Sequence, residues 1–178
     1  MTHLKLAATT VLAGMLVGGC TGAPAITPSP TSILSSSSAV TATPSLSVEE
    51  QKLEDSKARV VLLWKTLDGL LVDPSRSINE LDPLASGDAL SSLQIMLTTV
   101  RQRGEVQVGS TTIPTQSAVT QGDGWVVTSC VDLSGAKLTD KSGQPVTPAP
   151  EPRVSHRSTL QTVGPNLEVT KDEVLGSC

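Results

Sequence analysis

From Thr21 to Ser47 the chain carries no Asp, Glu, Lys or Arg. Ser, Thr, Pro and Ala dominate, as in Thr27-Pro-Ser-Pro-Thr31 and Ser35-Ser-Ser-Ser38. Such a stretch cannot bury enough apolar surface to offset the entropy of ordering it, so the reading is a disordered linker. As a flexible coil its root-mean-square reach is roughly 30 Å, with proline stiffening it somewhat. The composition also suits O-glycosylation, with a plain unmodified spacer as the alternative. This linker confines any compact fold to Val48–Cys178, a segment long enough for one domain with a real core. All acidic residues and every basic residue except Lys5 lie in that segment, with an acidic excess. That balance argues against nucleic acid or anionic lipid as a partner through bulk charge. The chain has no Phe or Tyr, and only Trp64 and Trp125 as tryptophans, so the core must be aliphatic. Trp64 falls on an apolar helix stripe and Trp125 follows a turn; both are read as core.

Ahead of the linker, Met1 to Lys5 form a short basic region, and Leu6 to Val17 are apolar except for Thr9, Thr10 and Gly14. This is the layout of a signal peptide over residues 1–19, too short for a spanning helix of about 20 apolar residues. Val17-Gly18-Gly19-Cys20 resembles the bacterial lipobox, with Val where Leu is more usual. In that family a diacylglyceryl thioether forms on the cysteine, which becomes the first residue of the mature protein. The chemistry needs small side chains for the peptidase and a thiolate as nucleophile. The resemblance implies a lipid on Cys20, an extracytoplasmic domain held at the cell membrane, and the membrane itself as a partner. Each buried methylene contributes about 0.8 kcal/mol, so two or three acyl chains hold firmly. An ordinary secretory signal with a coincidental cysteine is the competing reading.

Of the three cysteines, Cys20 is then committed, leaving Cys130 and Cys178 as an even pair in an oxidising compartment. They are expected to form a disulfide. Two free thiols or a metal site are the competing readings. The metal reading is weak, because His156 is the only histidine in the domain and no CxxC occurs. Asp68, Asp73, Glu80 and Asp82 match no calcium-loop spacing and read as a solvated acidic face. No metal and no cofactor is expected.

Ser47 with Glu50 three residues on forms a capping-box signal, and Leu53, Val60, Trp64, Leu67 and Leu71 then mark one stripe of a helix ended by Asp73-Pro74. A short helical turn is expected over residues 77–84. A second helix runs from about Ser86 to Arg103, with Leu90, Leu93, Leu97 and Val100 inward and Gly104 as the stop. After Gly104 the pattern becomes extended. Strands are predicted over 105–113, 115–121 and 125–133, the last two joined at Gly122-Asp123-Gly124, and over 153–163 and 166–174, joined at Gly164-Pro165. Residues 134–152 read as a long exposed connection with a short turn at Lys141-Ser-Gly143. Helices first and antiparallel strands afterwards predict an α+β fold, with N-terminal helices packed on one face of a curved antiparallel sheet.

This order over Val48–Cys178 resembles the NTF2-like fold, the cone-shaped family that includes ketosteroid isomerase and SnoaL-like proteins. It is similar more closely to small actinobacterial lipoproteins of that type. The features that carry the resemblance are the long first helix, Leu81-Asp-Pro-Leu84, Gly122-Asp-Gly-Trp-Val126, Thr128-Ser-Cys-Val-Asp132, Asp140-Lys-Ser-Gly143 and a final hairpin ending in cysteine. A simple cystatin-like helix-on-sheet is the alternative. In such enzymes an Asp or His inside the cone takes a proton, which makes Asp132 and His156 the weak catalytic candidates. Burial would raise the pKa of Asp132 toward that of a useful base; the preferred reading is a strand-end Asp making turn hydrogen bonds and a solvated His. Against catalysis, no tyrosine is present to support an oxyanion, and no Gly-x-Ser-x-Gly elbow, GxGxxG or Walker loop occurs. The expected function is therefore a membrane-anchored extracytoplasmic lipoprotein, a non-catalytic binding or accessory module of the cell envelope. Its partner would be an envelope protein or a small apolar ligand. The alternative is an NTF2-like enzyme acting on a small exported molecule by acid–base chemistry. Nothing in the residues indicates an oligomeric state.

Overall fold

The computed structural model describes residues 46–146 and 151–178. The predicted signal peptide, Cys20 and the linker up to residue 45 lie outside the described residues, as does Thr147-Pro-Ala-Pro150 of the long connection. Helix α1 spans Val48–Val72 and starts on the capping box read from the sequence. The Glu50 backbone N–H donates to the Ser47 hydroxyl at 3.2 Å, and the Glu50 carboxylate accepts from the Ser47 N–H at 2.8 Å. After a 3-10 turn over Ile78–Leu81, helix α2 covers Gly87–Arg103. It ends at Gly104, whose left-handed backbone (φ 68) is the conformation glycine adopts at no steric cost.

Six strands follow the helices: β1 (Val106–Gly109), β2 (Thr112–Gln121), β3 (Gly124–Asp132), β4 (Ala136–Thr139), β5 (Arg153–Val163) and β6 (Asn166–Ser177). They form two sheets, a four-stranded antiparallel one in the order β2-β3-β5-β6 and a two-stranded one of β1 with β4. The two predicted hairpin turns join β2 to β3 and β5 to β6.

The expectation of an α+β cone of the NTF2-like kind, with one curved antiparallel sheet under the N-terminal helices, is corrected here. The extended run predicted over 105–113 breaks at Gly109, which has φ 85 and leaves β1 outside the larger sheet. Its partner β4 lies inside the stretch read as an exposed connection, with Val106 opposite Thr139 and Gly109 opposite Ala136. The break is anchored by Asp68 of α1. Its buried carboxylate accepts from the Gln107 amide at 2.8 Å and from the Thr111 backbone N–H and hydroxyl at 2.8 and 2.9 Å. Because that carboxylate pins both sides of Gly109 to the helix, the strand cannot continue flat into β2. The turn after β4 is held by Asp140, whose carboxylate accepts from Ser142 and Gln144.

The core between the helices and the larger sheet is aliphatic. Val60, Leu63, Leu67 and Leu70 from α1 meet Leu97 and Val100 from α2, Leu81 and Leu84 from the connection, and Val127, Leu160 and Val169 from the sheet. Trp64 and Trp125 are half-buried against it. No helix among the described residues is long and apolar enough to cross a membrane.

Candidate functional site

Successive residues of a strand point to opposite faces, so the register of β3 with β5 sorts every side chain on them. Ser129 is opposite His156, Val131 opposite Val154, and Val127 opposite Ser158. These six face the helices. Cys130 and Asp132 therefore face the other way, as do their partners Ser155 and Arg153.

This separates the two residues that the sequence singled out for acid–base chemistry. Asp132 accepts from the Ser134 backbone N–H at 3.0 Å and pairs with Arg153 at 3.1 Å. Its hydrogen bonds from Ser134, with a lesser contribution from Arg153, hold its carboxyl below the usual carboxylate range. Of the two readings of Asp132, the structure shows the strand-end carboxylate making turn hydrogen bonds, on the opposite face from His156, and not the buried base with a raised pKa. The two do not share a site.

His156 instead belongs to a chain of contacts on the helix side. Its Nδ1 lies 2.7 Å from the Asp172 carboxylate, which also accepts from the Ser158 hydroxyl at 2.6 Å. The edge of the arrangement is closed by Trp64 of α1, whose ring meets the imidazole in a T-shaped contact with centroids 5.0 Å apart. Beside it, Ser129 accepts from the Gln116 amide at 3.1 Å. An ionised carboxylate has no proton to give, so with Asp172 as acceptor the hydrogen sits on Nδ1 and, in the neutral ring, Nε2 carries the free lone pair. The order of the three groups matters. In a Ser-His-Asp hydrolase the imidazole stands between hydroxyl and carboxylate and takes the serine proton. Here the carboxylate stands in the middle and Ser158 bonds to it, so the serine has no base of its own.

Asp172 was not among the sequence candidates, and a β-bulge is the reason. Counting back from the Gly164-Pro165 turn, an unbroken ladder puts Asp172 opposite Arg157, on the face away from the helices. The actual pairing steps from Leu160↔Val169 to Thr159↔Lys171, leaving Thr170 as an extra residue. One inserted residue exchanges the faces of those beyond it, here as far as Val174, after which Leu175 is a second extra residue. Asp172 and Val174 turn toward the helices, while Lys171 and Glu173 turn outward and pair with each other at 2.8 Å. On the other edge of β6, the Val169 backbone N–H donates to Leu84 and its carbonyl accepts from Ser86, which places the bulge beside the start of α2.

His156 lines an open cleft of about 600 Å³ with Leu133, Glu151, Val154, Val174, Gly176 and Ser177. On the opposite face of the sheet, Cys130 forms a disulfide with Cys178 that brings the two Cα atoms to 5.8 Å across 48 residues of sequence. The acidic residues considered for a cation are dispersed. Asp68 is buried on Gln107 and Thr111, Asp73 accepts from Ser75, and Glu80 pairs with Arg76. Among the described residues no group of three His, Cys, Asp or Glu side chains is placed to hold a metal ion.

No protein-family model and no curated protein matches the chain. Solved structures similar to it include the intermembrane space region of the chloroplast protein ARC6. That match has a TM-score of 0.54 and 18% identity, covering 75% of this chain and all of that one. A de novo designed β-sheet protein aligns at a TM-score of 0.38 with 12% identity, over 72% of this chain and 92% of its own. The first is a likeness of fold; the second is too low to indicate one.

Proposed function

We propose that this chain is an extracytoplasmic lipoprotein, tethered to the cell membrane by a lipid on Cys20, whose disulfide-bonded domain is a non-catalytic binding or accessory module of the envelope. The observation that carries the reading is the Cys130–Cys178 disulfide. Such bonds persist in oxidising compartments and are rare in the cytosol, so the bond supports export. The lipobox-like Val17-Gly18-Gly19-Cys20 and the charge-free linker support a tether rather than release. A binding role is favoured over acid–base catalysis because Asp132 and His156 are on opposite faces of the sheet and Ser158 has no base beside it.

The test is metabolic labelling of the full chain with palmitate in a bacterial host, with a Cys20→Ala variant alongside. Label on the wild type and its absence from the variant, together with loss of the variant from the membrane fraction, are the expected results. An unlabelled wild type, or a variant that fractionates with the membrane as before, overturns the proposal.

A further inference from the structure

The cleft that His156 lines has three properties that together define what fits it. Its walls are aliphatic, from Leu133, Val154 and Val174. Its volume of about 600 Å³ is within the usual span of small-molecule sites, about 300–1,000 Å³. Its polar anchor is His156, nine-tenths buried, with Nδ1 committed to Asp172. Among the described residues no hydrogen bond engages Nε2, so the nitrogen left for a ligand is an acceptor in the neutral ring. Glu151 on the lip and Asp172 behind the imidazole both repel a negative head group.

We infer that this cleft binds a small uncharged molecule with an apolar body and a single hydroxyl group, the hydroxyl donating to Nε2 of His156. The apolar body lies along Leu133, Val154 and Val174, and in the neutral ring the carboxylate of Asp172 holds the hydrogen on Nδ1, leaving Nε2 as the acceptor. Carboxylates and phosphates of the same chain length are excluded by charge. An aliphatic alcohol satisfies every element of the site. The inference deepens the binding-module reading and rests on it, but it does not depend on the lipid at Cys20, so the two can fail separately.

The experiment uses the full chain carrying Cys20→Ala, so that no acyl group competes, and Trp125→Phe, so that emission reports Trp64 against His156. Titration at pH 8 with 1-octanol is expected to shift that emission saturably, whereas octanoate at the same concentrations leaves it unchanged. His156→Phe keeps an aromatic ring beside Trp64 and removes the acceptor; octanol is expected to bind about tenfold more weakly, read in this variant by thermal shift. Val174→Asp changes a residue that is 66% exposed, so folding tolerates it, and it is expected to abolish octanol binding. Equal responses to octanol and octanoate, no saturable response to octanol, or a Val174→Asp protein that binds octanol like its parent would each overturn the inference. Throughout, palmitate labelling of Cys20 is scored independently.

Discussion

His156 on β5 and Asp172 on β6 are joined through Nδ1 and a carboxylate oxygen 2.7 Å apart, although simple counting along their hairpin puts them on opposite faces of the sheet. The contact exists because Thr170 is an unpaired residue between them and the turn. A single bulge thus decides which polar groups the helices cover, and the energetics of that pair can be measured directly.

Asp172→Ala removes the acceptor for both His156 and Ser158 and leaves two largely buried donors unpaired. A loss of about 2 kcal/mol is expected. Urea denaturation checks it, and a Ser158→Ala change added to Asp172→Ala should cost less than it does in the wild type, because its partner is already gone.

Asp68→Ala should cost more, about 3 kcal/mol, since it strands the Gln107 amide and the Thr111 N–H beneath α1. Asp68→Asn keeps an acceptor oxygen and should cost less. Equilibrium unfolding of the two variants against wild type gives the comparison.

Gly109→Ala is expected to separate β1 from β4. A Cβ there would sit 1.9 Å from the Gly135 carbonyl oxygen, and the positive φ adds strain. The penalty exceeds about 1 kcal/mol. Hydrogen exchange should lose protection at Val106 and Leu138 while the β3–β5 ladder keeps its own.

Reduction of the Cys130–Cys178 bond opens a loop of 48 residues' separation. On the chain-entropy account this lowers stability by up to about 4 kcal/mol. Urea midpoints with and without reductant, or for Cys130→Ser with Cys178→Ser, test the size of the effect.

Acid should unfold the domain gradually. Hydrogen bonds from Ser47 lower the pKa of Glu50, those from Ser75 lower Asp73, the Arg76 partner lowers Glu80, and those from Ser134 and Ser142 lower Asp132 and Asp140. Each carboxyl binds a proton more readily in the unfolded chain, so its contribution is complete above the ordinary values of 4.5 for Glu and 3.8 for Asp. It fades as pH falls from there through the lower folded-state values. All five are surface groups, so melting temperature should decline smoothly below about pH 4.5 rather than collapse at one step.

Local chemistry made much of the domain readable. Ser47 and Glu50 cap each other whatever lies around them, Gly104 ends α2 because glycine alone takes its backbone cheaply, and a two-residue Gly122-Asp123 connection forces a hairpin. The aliphatic stripe of α1 likewise marks its buried side without knowledge of what covers it. The disulfide is legible from arithmetic on cysteines when Cys20 is read as the lipid-bearing one.

The missed features depend on groups distant in sequence. Ala136–Thr139 is too short and polar to announce a strand; β1 recruits it across some thirty residues. The larger sheet excludes β1 because Asp68, some forty residues upstream, holds Gln107 and Thr111. Asp132 reads as a cavity base only if its face is known, and register decides that.

Residue order alone thus determined where helices start, where hairpins turn and which stripe is apolar, since each depends on backbone preference within a few residues. Tertiary structure decided which strands share a sheet and that Asp172, rather than Asp132, meets His156. The reason is that side chains alternate along a strand, so one extra residue at Thr170 reverses the faces of Lys171 to Val174, and the backbone bonds of the neighbouring Val169 to Leu84 and Ser86 tie that stretch to residues some eighty positions earlier.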